Sequence, residues 1–131
     1  MSIWGRQVSI KLIAVVVVVV VVGAWLAAVS RTPSREVVLV VRGMAFYLES
    51  DPARPNPTLT FTAGERVRVV LRNEERGFTH DFAVPAVKAA TDLINWNDEA
   101  SVTFNVPDRP GTYEYVCEPH AMMMQGRIVV R

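Results

Sequence analysis

The sequence holds one cysteine and two histidines in 131 residues. A lone Cys117 excludes an intramolecular disulfide, so the cysteine count says nothing about redox compartment. Excess charge of either sign is missing as well. Arg6 and Lys11 precede a long apolar run, and without them fourteen basic residues become twelve against thirteen acidic ones. A net charge near −1 over the remainder carries no nucleic-acid signature. There is no internal repeat, and no low-complexity tract outside the apolar run. The length allows one modest domain, and because much of the hydrophobic half of the composition sits in that run, the remainder is of ordinary polarity.

Residues 12–30 carry no charge and include an unbroken valine run over 15–22. A helix of nineteen residues extends about 28 Å at ~1.5 Å per residue, enough to cross the hydrocarbon core of a bilayer. Valine is a weak helix former in water, but in lipid every backbone group must bond within its own segment, which forces the helix. Arg6 and Lys11 favour a cytoplasmic N-terminus, partly offset by Arg31 and Arg35, so the rest of the chain is expected on the outer, periplasmic or extracellular side of a cytoplasmic membrane. Residues 1–30 are therefore read as a single-pass transmembrane anchor. A cleaved signal segment is the competing reading, since Ala28-Val-Ser30 offers small residues to a peptidase, although the run exceeds the ~7–15 residues of a usual signal core. Residues 31–35 form a short polar linker.

From residue 36 onward the chain reads as strands. Residues 36–42 are valine-rich, 45–48 and 58–62 are short β-type runs, and the proline-bearing 51–57 between them is a loop. Over 65–73, Val67, Val69 and Leu71 alternate with Arg66, Arg68 and Arg72, the period of a strand with one buried face. Val102, Phe104 and Val106 repeat the pattern. A turn at Pro107-Asp-Arg-Pro-Gly111 leads into a strand that places Tyr113, Tyr115 and Cys117 on one face, and 126–130 forms the closing strand. By the same parity Phe78, His80 and Phe82 face inward together. Residues 86–94 are expected to be a short helix or a loop with a helical turn. Several short strands at this spacing predict an all-β sandwich.

The chemistry is concentrated near the end. Tyr113-Glu-Tyr-Val-Cys117-Glu-Pro-His120-Ala-Met122-Met123-Met124-Gln-Gly126 gathers the cysteine, one histidine and three of the five methionines. Thiolate, imidazole and thioether are the soft and borderline donors that copper prefers, and a second imidazole can come only from His80. A His₂Cys set with a weak axial methionine is the type 1, or blue, copper arrangement used for electron transfer. Each residue alone has a plainer reading. A buried histidine is more often a hydrogen-bonded core residue, and a lone inward cysteine a small hydrophobe. Two such oddities beside a Cys-x-x-His-x-x-x-Met loop reverse that weighting. Structural zinc wants four strong tetrahedral ligands where this chain offers three.

These residues, with Gly111-Thr-Tyr-Glu-Tyr-Val-Cys-Glu-Pro-His ending a β-rich domain and His80 upstream, resemble the small cupredoxins such as plastocyanin, amicyanin and azurin. The resemblance covers residues 36–131 and implies a Greek-key β-sandwich. It also implies one type 1 copper held by His80, Cys117 and His120. The plastocyanin-like spacing would put the axial ligand at Gln125, the amicyanin-like spacing at Met123 and the azurin-like His-x₃-Met interval at Met124. Met124-Gln-Gly126 also matches the Met-x-Gly with which plastocyanin and amicyanin enter their last strand, and Met124 is chosen. A dinuclear thiolate-bridged centre would need a second cysteine, and the histidines that flank the cysteine of multicopper oxidases are replaced here by Val116 and Glu118. Asp81 stands where plastocyanin-like proteins commonly carry an asparagine that ties the ligand loops together. It either accepts a backbone N–H from the Cys117 loop or is a solvated strand residue.

The expectation is a membrane-anchored, extracytoplasmic copper protein that cycles Cu(II) and Cu(I), exchanges electrons with redox partner proteins, and is not an enzyme with a small-molecule substrate. The alternatives are a copper carrier or storage protein, marked by easy metal release, and a small copper enzyme, marked by an open coordination position.

Overall fold

The computed structural model describes residues 15–20, 33 and 35–131. Residues 15–20 are helical. The expected membrane helix over 12–30 and the linker after it otherwise lie outside the described residues, as do the flanking charges Arg6, Lys11 and Arg31. Among the described residues no helix is long and apolar enough to cross a membrane. The chain divides into two compact units, residues 1–32 and 33–131.

The second unit is a β-sandwich of nine strands: β1 Arg35–Arg42, β2 Ala45–Leu48, β3 Leu59–Phe61, β4 Arg66–Asn73, β5 Ala83–Val84, β6 Ala89–Ala90, β7 Glu99–Asn105, β8 Gly111–Val116 and β9 Gln125–Val130. One sheet has the order β2-β1-β4-β7 and the other β3-β9-β8-β5-β6. The strands expected over 36–48, 58–73 and 99–130 are present, whereas the alternation of Phe78, His80 and Phe82 does not form a continuous strand. The β4 pattern is realised with Val67, Val69 and Leu71 fully buried, while Arg68 and Arg72 on the opposite face pair with Glu36, Glu49 and Glu99. Inward residues of both sheets meet in one core that includes Leu39, Val41, Phe46, Phe61, Phe104, Tyr115 and Ile128. Such residues stabilise the fold by roughly 1.5–3 kcal/mol each on full burial.

Two strand relationships give the sandwich its polarity. β1 runs parallel to β4, with Arg35 opposite Val67 and Val41 opposite Asn73, so both strands end at the same pole. β8 and β9 form an antiparallel pair whose last rung, Val116 with Gln125, lies beside Cys117. At the end of β1 the Gly43-Met44 turn has both residues in the left-handed region, φ 53° and 59°, as a two-residue hairpin matching the strand twist requires.

Residues 86–94 take the second of the two expected forms, a loop with a helical turn. Only a single 3₁₀ turn forms, over Pro85–Val87, and Ala89–Ala90 then pairs back onto β5. Lys88 in the left-handed region reverses the chain, and this tight return is why the segment has no helical period.

Candidate metal centre

His80 is fully buried but not on a continuous strand. It makes an isolated antiparallel bridge with Ile94, its N–H donating to Ile94 O at 3.1 Å and its O accepting the Ile94 N–H at 2.9 Å. Asn73, at the end of β4, donates through Nδ2 to Phe78 O and Ile94 O and so secures the approach to this bridge. Because the bridge is isolated, strand parity fails on one side of it. Phe82 is buried as expected, whereas Phe78 is 49% exposed, its ring lying edge-on to His120 with centroids 5.9 Å apart.

Cys117 is the first residue past β8, fully buried, in the same core as an aromatic cluster of Tyr115, Phe46 and Phe82 whose centroids lie 5.3 to 6.1 Å apart. The chain then turns through a 3₁₀ segment, Glu118–His120, in which Pro119 presets the backbone. Loop hydrogen bonds fix the donors: His120 N–H to Cys117 O at 3.1 Å, Met124 N–H to His120 O at 2.9 Å, and Cys117 N–H to Met124 O at 2.9 Å. Cys117 and Met124 thus form the neck of the loop. Asn56 braces it from outside, donating to Met123 O while its Oδ1 accepts the Phe46 N–H. At the exit, a Cβ on Gly126 would fall inside the ring of Tyr115, so the Met-x-Gly signature reflects a place where only glycine fits.

The candidate donors converge. Cys117 Sγ lies 3.7 Å from His80 Nδ1 and 3.5 Å from His120 Nδ1, and the three ligand atoms are all within 4.8 Å of one another. Met124 is fully buried beside them in sequence and loop, while Met123 is 56% exposed, Met122 is 91% exposed, and Gln125 lies exposed on β9. Burial, above all, pushes His80 down from the usual imidazole range; Glu75 opposes this and His120 reinforces it. Burial likewise pushes the Cys117 thiol up, with the backbone hydrogen bonds of Asp81 and His120 acting against it and the Asp81 charge adding to it. A thiol raised by burial, facing two inward imidazole nitrogens, suits a cation that would stabilise the thiolate. One sulfur and two nitrogen donors match copper.

Asp81 resolves to the first of its two readings. It is buried, and its Oδ1 accepts the Glu118 N–H at 2.7 Å. Outward parity does not leave it solvated because the strand is interrupted here. Glu75 was missed by sequence reasoning. Its Oε2 lies 3.2 Å from His80 Nε2, and no periodic pattern marks a residue in the turn after β4.

Residues 68–131 match the family of copper binding proteins described as plastocyanin/azurin. A search of the curated proteins found no match by sequence. Among solved structures, auracyanin B is similar with a TM-score of 0.63 at 24% identity, over 77% of this chain and 91% of that one. Auracyanin A, a "blue" copper protein from the green thermophilic photosynthetic bacterium Chloroflexus aurantiacus, gives 0.59 at 24% identity, over 73% and 98%. Rusticyanin from Thiobacillus ferrooxidans gives 0.53 at 26% identity, over 76% and 79%. The sandwich, the converging donors and the family match across the ligand loop together support a blue copper cupredoxin, with a site for one type 1 copper.

Proposed function

We propose that this cupredoxin is a one-electron carrier on the extracytoplasmic side of a membrane, not an enzyme, with His80, Cys117 and His120 as the strong ligands and Met124 as the weak one. The observation that carries the reading is the convergence of one sulfur and two Nδ1 atoms within 4.8 Å at a buried pole. Copper bound there would supply a Cu(II)/Cu(I) couple. The chain's own residues do the rest. Sheet and loop hydrogen bonds hold the donors in place before any ion arrives, which limits rearrangement between oxidation states. Burial of His80, Cys117 and Met124 keeps water from them. His120 alone is part exposed, and it is flanked by Phe78, Met122 and Met123, an apolar surface suited to a brief contact with a redox partner protein.

The test is the visible spectrum of the full chain loaded with Cu(II). One copper per chain with an intense thiolate-to-copper band is expected, lost in Cys117→Ser. A colourless, weakly held Cu(II) adduct in a chain that binds zinc would overturn the reading, and ready surrender of copper to a chelator would favour a carrier or storage role. The membrane placement rests on the uncharged run of residues 12–30 and has its own test. Full-length protein should need detergent, whereas a mature chain starting near residue 31 would identify the run as a cleaved signal.

A further inference from the structure

His80 directs its two ring nitrogens to different groups. Nδ1 faces Cys117 Sγ at 3.7 Å, and Nε2 lies 3.2 Å from Glu75 Oε2. Nε2 is enclosed, and among the described residues no group meets it in full hydrogen-bond geometry. Glu75 stands within ion-pair distance of it.

Glu75 is itself held through both side chain and backbone. Its Oε2 accepts the Met44 N–H at 3.0 Å, from the hairpin turn that ends β1. Its own N–H donates to Asn73 Oδ1 at 2.8 Å. Asn73, 1% exposed, donates at the same time to Phe78 O and Ile94 O, and Ile94 is the residue bridged to His80. One buried amide therefore positions both the carboxylate and the backbone that carries the histidine. A free-standing surface acid would need none of this.

We propose that Glu75 is a positioning residue of the metal centre, acting through His80. Its carboxylate holds the His80 ring in the tautomer protonated at Nε2, which leaves the Nδ1 lone pair directed at the Cys117 side. Its negative charge, shielded from water beside the ring, favours the more positive oxidation state of a bound ion. Asp81, a buried carboxylate, is tied to the Glu118 N–H, so Glu75 is the acid that stands against the His80 ring nitrogen. The inference rests on the type 1 reading above and adds the residue that biases its redox couple.

Glu75→Gln is the discriminating variant, since it keeps an acceptor oxygen and removes the charge. In the copper-loaded full chain the visible band should persist while the preference for Cu(II) over Cu(I), read from the reduction potential, falls roughly tenfold, a size consistent with one charge at this range in a partly screened interior. Glu74→Gln is the control, its exposed carboxylate pairing with Arg42, and should leave the potential where it was. A second readout needs no copper. Nitrogen NMR of the metal-free chain should show His80 protonated at Nε2, kept in Glu75→Gln and lost in Glu75→Ala. An unmoved potential in Glu75→Gln, or a wild-type His80 protonated at Nδ1, overturns the role of Glu75. An intact band in all variants leaves the type 1 reading standing in either case, whereas a wild-type chain without the band removes that reading first.

Discussion

Asp81 Oδ1 accepts the peptide N–H of Glu118 at 2.7 Å, joining positions thirty-seven apart in sequence and tying the residue after one histidine donor to the residue after the cysteine. The bond crosses between the two segments that carry the donors.

Asp81→Ala should therefore loosen the centre without removing a ligand. Leaving the Glu118 N–H without its acceptor costs about 1–3 kcal/mol if water does not replace it. We expect a lower unfolding midpoint and faster copper release to a chelator, with Asp81→Asn restoring most of both because its amide oxygen can accept the same bond. Release rates unchanged in Asp81→Ala would mean the loops hold without this tie.

Met124→Leu tests the weak ligand. The volume is conserved, so the stability cost should stay below about 1.5 kcal/mol, while loss of a sulfur donor that favours Cu(II) raises the potential and keeps the blue band. Met123→Leu, on an exposed residue, should do little to either. If the Met123 or Gln125 variant moves spectrum and potential while Met124→Leu does not, Met124 is not the axial ligand.

Gly126→Ala should damage the fold more than its size suggests. The added methyl meets the ring of Tyr115, which is fully buried and fixed by its hydroxyl donating to Pro57 O at 2.6 Å. Overpacking of this kind typically costs about 1–3 kcal/mol, or roughly 4–24 °C in melting temperature for a domain near one hundred residues. Tyr115→Phe, which gives up only the hydroxyl bond, should cost about 1 kcal/mol. A thermal melt comparing the two settles their order.

Met122→Lys probes the exit for electrons. The residue is 91% exposed and makes no part of the donor cluster, so spectrum and stability should be unchanged. Electron exchange, with a partner or between copies, should slow because a charge must be desolvated in the contact. An exchange rate equal to wild type, measured with the visible band intact, would place the exit elsewhere.

Much of the fold and the donor set is legible in the sequence. Val67, Val69 and Leu71 alternating with arginines identify β4 because a half-buried strand leaves a period of two. Cys117 and His120 are legible because a short loop carries their chemistry close together in sequence, and the same loop is the reason to expect Met124 beside them. The illegible parts depend on interruptions. His80 sits in an isolated bridge, so parity rightly buries Phe82 and wrongly buries Phe78, and the same break turns Asp81 inward. The 83–90 region uses a left-handed Lys88 to reverse the chain, which no hydrophobic period announces. Glu75 and Asn73 act through a network assembled from β1, β4 and the Ile94 segment, and only the packed sandwich brings those together.

The parallel course of β1 and β4 bears on where the donors lie relative to the start of the domain. β1 starts at Arg35, at the pole opposite the Met44 turn that meets Glu75, and its eight residues span roughly 25 Å at ~3.3 Å per residue. Whatever holds the chain ahead of Arg35 holds it at the end far from the donors. If the chain is anchored there as proposed, the His120 face is the end of the domain turned away from the attachment. Lengthening the stretch before Arg35 would enlarge the volume searched while diluting the donor face within it, and exchange with a fixed partner should pass through an optimum in linker length.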